Sequence, residues 1–127
     1  MADWNDVLTV LTHDPDIRHW EPFPGAARTA TATAAPHGHP EATLILDNTA
    51  NDLWLQILSP ASPTSDGPTW EAAGWFLRDL PAVGLAQIGD GIAIRHAILL
   101  PHATIHAITN GIALTAIAAA ALANPAH

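Results

Sequence analysis

The most suggestive part of the sequence begins at residues 84–101, which read GLAQIGDGIAIRHAILLP. Its two apolar segments, 84–88 and 92–100, are separated by the sequence Gly-Asp-Gly, a pattern typical of a tight β-hairpin. Successive side chains of a strand point to opposite faces, so one face of the second segment is almost wholly apolar and carries Ile92, Ile94, His96, Ile98 and Leu100. The pattern predicts two antiparallel neighbours in a sheet.

Three further strands are predicted before this hairpin. Threonine alternates with alanine over residues 28–34, and this favours a strand because threonine is β-branched. Residues 41–47 and 52–58 are predicted as the next two strands, and the short loops between all three favour antiparallel pairing. The segment 14–25 contains three prolines and is interpreted as an irregular connection.

Three helices complete the pattern. Residues 3–13 place apolar side chains at the 3.6-residue helical period, and a middle helix is predicted over residues 69–80. A long alanine-rich helix follows at 103–123, although Gly111 inside it costs about 1 kcal/mol relative to alanine. The fold class is therefore α+β, an antiparallel five-stranded sheet with the order α-β-β-β-α-β-β-α, in a single domain of residues 1–127. We expect the first and last helices to pack together on the sheet.

Composition excludes several classes of protein. The 127 residues are 49% hydrophobic and 13% charged, which favours a packed core over disorder. The chain has no cysteine, four cationic side chains and twelve acidic ones, so we expect no disulfide, no thiolate ligand and no nucleic-acid partner. No targeting signal is evident, and the apolar run 112–123 is shorter than the roughly 20 residues of a membrane span. We expect a soluble, cytoplasmic protein with no membrane partner.

The element order resembles that of class I type III secretion chaperones and of YbjN-like, chaperone-like domains. Residues 84–123 resemble their final hairpin and helix, with a polar turn, Arg95 and Pro101. The segment DLWLQILSP, residues 52–60, is similar to their third strand. The resemblance implies a small, acidic, usually homodimeric protein that binds a polypeptide. No catalytic motif defines the family, so it implies no catalytic residue.

Two functional hypotheses stay open. The first is a non-enzymatic, homodimeric, chaperone-like module with a polypeptide client. The second is a regulatory or structural domain of the YbjN-like kind that binds no client. An enzyme is the least supported reading, because the sequence has no phosphate-binding glycine loop, no GxSxG motif and no EF-hand spacing. We expect no cofactor.

Histidine pairs offer weak candidates for metal binding. His102 and His106 are four residues apart, a spacing that places two ligands on one helix face, but two ligands do not complete a zinc site. His37 and His39 share a proline-flanked turn that could bind a metal adventitiously. We therefore expect no metal site. His96 is expected to be a buried histidine with a backbone partner, because no serine or aspartate is placed to form a triad with it.

A group of acids and histidines follows the first helix: His13, Asp14, Asp16 and His19. Carboxylate and imidazole together could transfer protons. In a proline-rich connection, however, a solvated cap at the helix end is the more common arrangement. We expect the cap.

The tryptophans are the most informative residues. Trp20 lies in the proline-rich connection, where no period assigns it to a face. Trp54 lies opposite the leucine and isoleucine face of its strand, and Trp75 lies off the main apolar arc of the middle helix, near Asp79. Either both sheet faces are covered and the rings of Trp54 and Trp75 are buried, or Trp54, Trp75 and Asp79 belong to a dimer or partner surface.

Replacing Trp75 tests the interpretation that this residue belongs to a dimer surface. If the middle helix forms a twofold contact, Trp75→Ala is expected to shift the dimer towards monomer, because truncating a buried interface tryptophan costs about 2–4 kcal/mol. Sedimentation of the variant beside the parent protein measures this shift. If the parent and the variant both sediment as monomers, the dimer is contradicted. If both form equally stable dimers, Trp75 is not the residue that holds the dimer together.

Overall fold

The computed structural model describes residues 2–49, 53–60, 77–78, 82–89 and 91–123. This part forms a two-layer α+β structure in which six strands make one antiparallel sheet and two α-helices lie on it. The bounds are α1 Trp4–His13, β1 Ile17–Pro22, β2 Thr29–Ala34, β3 Ala42–Asp47, β4 Trp54–Pro60, β5 Gly84–Ile88, β6 Gly91–Leu99, a 3-10 helix Leu100–His102 and α2 Ile105–Ala123. The order across the sheet is β1-β2-β3-β4-β6-β5, and every neighbouring pair is antiparallel.

The class and the single antiparallel sheet are as the sequence predicts. The five strands predicted from alternation are present, and their ends differ from the prediction by at most two residues. The described part has two α-helices rather than three. The helix predicted over residues 69–80 lies outside the described residues, apart from Leu77 and Arg78.

The expected strand number of five is wrong because the segment interpreted as irregular contains β1. This strand is at the edge of the sheet and pairs only with β2, so Pro22 at its end can lack an N–H without breaking a second ladder. Its register shifts between Ile17 and His19, which is a β-bulge. Trp20 lies opposite Ala32 of β2 and packs, half-buried, against the core.

The first helix begins at a reciprocal cap. The backbone N–H of Asp6 donates to the Asp3 carboxylate at 3.1 Å, and the Asp3 N–H donates to the Asp6 carboxylate at 2.9 Å. These bonds satisfy backbone donors that an uncapped helix leaves without partners. The opposite side of α1 buries Val7, Val10 and Leu11 against the sheet.

One face of the sheet carries the main core. Its strands contribute small side chains from β2 and larger ones from β3, β4 and β6, and the helices add residues of α1 and α2. The fully or nearly buried members include Ala30, Ala32, Ala34, Leu44, Leu46, Leu55, Ile57, Ile98, Val7, Val10, Leu11, Leu100, Ile108, Ile112 and Ala116. The helices α1 and α2 contact each other on this face, which confirms the expected packing of the first and last helices.

A second cluster lies under the far end of α2. Ala118, Ala119 and Leu122 of the helix pack with Ile94 of β6 and with Leu77. Val83, Leu85 and Ile92 lie half-buried at its margin. This cluster attaches β5, the last strand of the sheet, to the helical layer.

The long helix approaches the sheet most closely at Gly111. A Cβ atom at this position would lie 2.7 Å from Cδ2 of His96 and 3.0 Å from the Cδ1 atoms of Ile57 and Ile98. One turn later the buried Thr115 hydroxyl donates to the Gly111 carbonyl at 2.7 Å, so this polar side chain is satisfied within the helix. Gly111 is therefore a close-packing position of the helix layer.

Substituting Gly111 tests this packing. Alanine gains about 1 kcal/mol in helix propensity, but the new methyl group must displace three side chains, at a cost of about 1–3 kcal/mol. We expect Gly111→Ala to lower the free energy of unfolding by about 1 kcal/mol, as measured by urea denaturation at one fixed protein concentration.

Gly84→Ala is the matched control. Among the described residues, no atom lies within 4 Å of a Cβ atom built at Gly84, and the backbone of Gly84 does not have a positive φ. Its stability is expected to stay within about 0.5 kcal/mol of the parent. A Gly111→Ala variant as stable as the parent would contradict the close-packing role.

Candidate functional site

The face of the sheet opposite the helices is open to solvent over much of the described structure. We call this surface the open face. It comprises Thr31, Ile45, Trp54, Gln56, Leu58, Arg95, Ala97 and Leu99, all of which are half-buried or exposed. Within the described ranges, both α-helices lie on the other side. The open face is the candidate functional site.

An apolar pair stands at one end of the open face. Trp54 of β4 lies opposite Leu99 of β6, and the two residues are 40% and 37% exposed. Directly opposed side chains of antiparallel strands are close enough to touch. A tryptophan and a leucine side by side in solvent form an apolar surface that a partner could cover.

The backbone under this pair is held on both sides. The side-chain amide of Asn48, which is buried, donates to the Trp54 carbonyl at 2.8 Å. The N–H of Leu100 donates to the Leu53 carbonyl at 2.7 Å. Because strand ends are fixed by these bonds, the Trp54 ring is presented from an ordered position.

Further along the open face the side chains form a mixed row across four strands. Thr31 lies opposite Ile45, Ile45 opposite Leu58, and Leu58 opposite Arg95. The row places β-branched and aliphatic groups next to a single guanidinium. It suits an apolar partner that also carries a hydrogen-bond acceptor, such as a backbone carbonyl.

The three residues assigned to a dimer or partner surface have different outcomes. Trp54 is exposed on the open face, so the alternative in which both faces are covered and its ring is simply buried is wrong for this residue. Trp75 and Asp79 lie outside the described residues. Their place in a surface stays a prediction.

The histidine pair near the last helix does not have the geometry of a helix-face metal site. His102 belongs to the 3-10 helix and His106 to α2, and between them Ala103 has an extended backbone. Both side chains are exposed, as are His37 and His39 in their turn. Within the described ranges, no group of three His, Cys, Asp or Glu side chains could hold a metal ion.

The acids and histidines after α1 make two local contacts. The Asp14 carboxylate accepts the N–H of Asp16 at 2.9 Å, which forms a local turn just after the helix. His19 lies on β1, 3.8 Å from Glu21, and both side chains are well exposed. An exposed pair of this kind contributes little to stability.

His96 has the backbone partner that the sequence predicts, but it is half-buried rather than buried. Its Nδ1 lies 2.5 Å from the carbonyl oxygen of Ala82, and Nδ1–H is the donor because a carbonyl only accepts. Ala82 has a φ of 71°, a left-handed conformation that is uncommon for alanine. The bond holds this strained turn in place immediately before β5.

Sequence reasoning missed a cleft of about 510 Å³ at the end of the sheet that carries Trp54. It is bounded by the start of α1, by Arg28 and Asn48, and by Leu100 and Pro101. Arg28 has a φ of 57°, and its carbonyl accepts the N–H of Asn48 at 2.9 Å. A positive φ at a non-glycine residue leaves no signal in the sequence.

By length and composition, α2 could cross a membrane. Residues 105–122 have a mean hydropathy of 1.6, so the apolar stretch is longer than the run 112–123 suggests. Half of this window is buried inside the protein, and core helices of soluble proteins meet the same criterion. The cytoplasmic location stays a prediction.

Comparison with known proteins adds no family assignment. No family model matches the chain, and no curated protein matches it. The open face and its residues are therefore interpreted from their own chemistry.

Removing both histidines tests the expected lack of a metal site. Because His102 and His106 are exposed and lie on separate elements, His102→Ala combined with His106→Ala is expected to leave thermal unfolding and sedimentation unchanged, with or without a chelator. A stoichiometric metal that survives chelation in the parent and is lost in the double variant would overturn this expectation.

Proposed function

We propose that the protein is a non-enzymatic, chaperone-like module that binds an extended polypeptide segment on the open face. The observation that carries the proposal is the exposed pair of Trp54 and Leu99 on an ordered part of the sheet. We also propose the finer fold, that of the type III secretion chaperone-like and YbjN-like domains. The α+β architecture with one antiparallel sheet supports this proposal but is shared with many other folds.

The chemistry of the open face favours a polypeptide with apolar side chains. Tryptophan is among the residues that contribute most when a partner covers them, because its ring is large and has few rotatable bonds. The neighbouring Ile45 and Leu58 are half-buried and extend the apolar surface. A segment with apolar residues at alternate positions could place them along this surface and leave its polar residues in water.

Charge supports the same class of partner. The chain has a formal net charge of -8, so a basic segment is attracted and a strongly acidic one is repelled. Asp47 at the border of the open face already accepts hydrogen bonds from Thr29 and Thr49. Apolar contact is therefore the main source of affinity, and charge affects the rate of association.

Binding of designed peptides tests the proposal. The probes are fluorescent peptides of about 12 residues with apolar and polar residues alternating and a net positive charge, beside scrambled peptides of the same composition. Fluorescence anisotropy is expected to show binding of the alternating peptides. Trp54→Ala and Leu99→Ala are each expected to weaken it by about tenfold or more.

Two matched controls separate the open face from general hydrophobicity. Leu114 on α2 is 40% exposed and is the control for Leu99, while Phe23 is 44% exposed and is the control for Trp54. Leu114→Ala and Phe23→Ala are expected to leave peptide affinity within about twofold. If no probe binds the parent protein, the regulatory or structural reading replaces the proposal. Equal losses in all four variants would contradict the open face as the site.

A further inference from the structure

The two edges of the sheet differ in how they are protected against pairing with another strand. The β1 edge has a bulge between Ile17 and His19, charged side chains at Arg18 and Glu21, and Pro22 at its end. Bulges, charges and proline are the usual means by which a free edge avoids edge-to-edge contact. The β1 edge is therefore protected against pairing with a further strand.

The β5 edge has none of these features. Its sequence GLAQI carries no charge and no proline, and its register with β6 is continuous from Gly84 opposite Arg95 to Ile88 opposite Gly91. Within the described ranges β5 is the last strand of the sheet, and no strand pairs with its outer side. An uncharged, regular edge of this kind is a template for another strand.

The hairpin register shows which backbone groups are available. In a hairpin closed by a two-residue turn, the flanking pair exchanges both hydrogen bonds, and such pairs then alternate along the ladder. Ile88 and Gly91 flank the turn, so Gly84, Ala86 and Ile88 use their backbone groups on β6. The N–H and C=O groups of Leu85 and Gln87 point away from the sheet.

Contacts within a single copy of the chain already hold β5 in place. The bond from His96 to the Ala82 carbonyl holds the chain before β5, and Leu85 packs at the margin of the cluster formed by Leu77 and α2. After the strand, the side-chain amide of Gln87 donates to the Gly89 carbonyl at 3.0 Å. A preordered edge loses little conformational entropy when a second strand is added.

We infer that β5 pairs with β5 of a second copy of this chain, antiparallel about a twofold axis at Ala86, so that the two sheets become one. In this register Leu85 of each copy exchanges both backbone hydrogen bonds with Gln87 of the other, and the two small Ala86 side chains meet at the axis. This inference stands apart from the proposed peptide binding, because it uses a different surface.

A second copy fits this edge for two reasons. First, the contact is closed: it pairs the β5 edges of the two copies, and the edges that remain in the described sheet are the two β1 edges, which are protected. Second, the strand opposes no like charges, and the nearest cationic side chain on β6, Arg95, would lie roughly 20 Å from its twofold mate by strand geometry. That separation exceeds the screening length of about 8 Å at physiological salt.

Engineered disulfide formation tests both the contact and its register. The chain has no cysteine, and Ala86 would face its own copy in a non-hydrogen-bonded pair with Cα atoms about 4.5 Å apart, within the range for a disulfide. At the same concentration, Ala86→Cys is expected to form a covalent dimer at least about tenfold faster than Ala97→Cys, an exposed alanine on the interior strand β6.

A second substitution tests the hydrogen bonds themselves. Gln87→Pro removes an N–H that points away from β6, so the hairpin ladder is kept and the pairing between copies is lost. The parent is expected to sediment as a dimer and Gln87→Pro as a folded monomer. Gln87→Lys, which places a charge on the same edge, is the second variant if the proline variant does not fold, and Thr43→Lys on the exposed face of β3 is its control.

Two results would overturn the inference. One is a parent protein that sediments as a monomer at about 100 µM, a concentration at which even a weak specific dimer forms. The other is an Ala86→Cys variant that crosslinks no faster than Ala97→Cys. A dimer that persists in folded Gln87 variants would likewise place the contact elsewhere on the molecule.

Discussion

The contact between Gly111 of α2 and the side chains of His96, Ile57 and Ile98 sets the spacing of the two layers. A residue with a Cβ atom would meet these groups at 3.0 Å or less, so the helix lies closer to the sheet than an ordinary side chain allows. Close approach brings many atoms into van der Waals contact, and this compensates for the small area that each alanine buries. The alanines of β2 and of the far end of α2 serve the same arrangement, because they let the backbones approach without large side chains between them.

This packing also determines which surfaces remain for partners. In the described structure, the closely packed interface between the sheet and the two helices lies on one side of the sheet. The other side keeps Trp54 and Leu99 in solvent, and the β5 edge keeps the backbone groups of Leu85 and Gln87 unused by β6. With 13% charged residues, the protein has few ionic groups for recognition. Apolar contact and backbone hydrogen bonding are the interactions that its surfaces offer.

The sequence predicts five of the six strands well and misses the edge strand β1, for a physical reason. Alternation in β2 and β6 reports a strand with one buried face, and that signal does not depend on the rest of the fold. The strand β1 needs only one hydrogen-bonded neighbour, so it tolerates Pro22 and charged residues that look irregular in a linear reading. Because β1 is not predicted, the sequence also does not show which face of the sheet Trp20 belongs to.

The site residues show a similar division. Alternation places Trp54 on the opposite face from Leu55 and Ile57, but it cannot show whether another element covers that face. The four-residue spacing suggests that His102 and His106 lie on one helix face. It does not show that the backbone is extended at Ala103, which places the two histidines on separate elements. Gly111 is visible in the sequence only as a cost to the helix, because its three contacts come from β4 and β6. Local patterns thus locate side chains within an element, whereas the neighbours of those side chains come from the tertiary fold.

The two proposed surfaces would reinforce each other. A twofold axis between antiparallel strands is perpendicular to the sheet, so pairing through β5 would put both open faces on the same side and both helical layers on the other. The two Trp54–Leu99 pairs would then be roughly 30–50 Å apart, depending on the twist of the joined sheet. An extended chain covers about 3.3 Å per residue, so a segment of about 10–15 residues would be needed to reach both pairs. A client long enough to do so would bind the second pair at a high effective concentration, and the dimer would hold it more tightly than either open face alone.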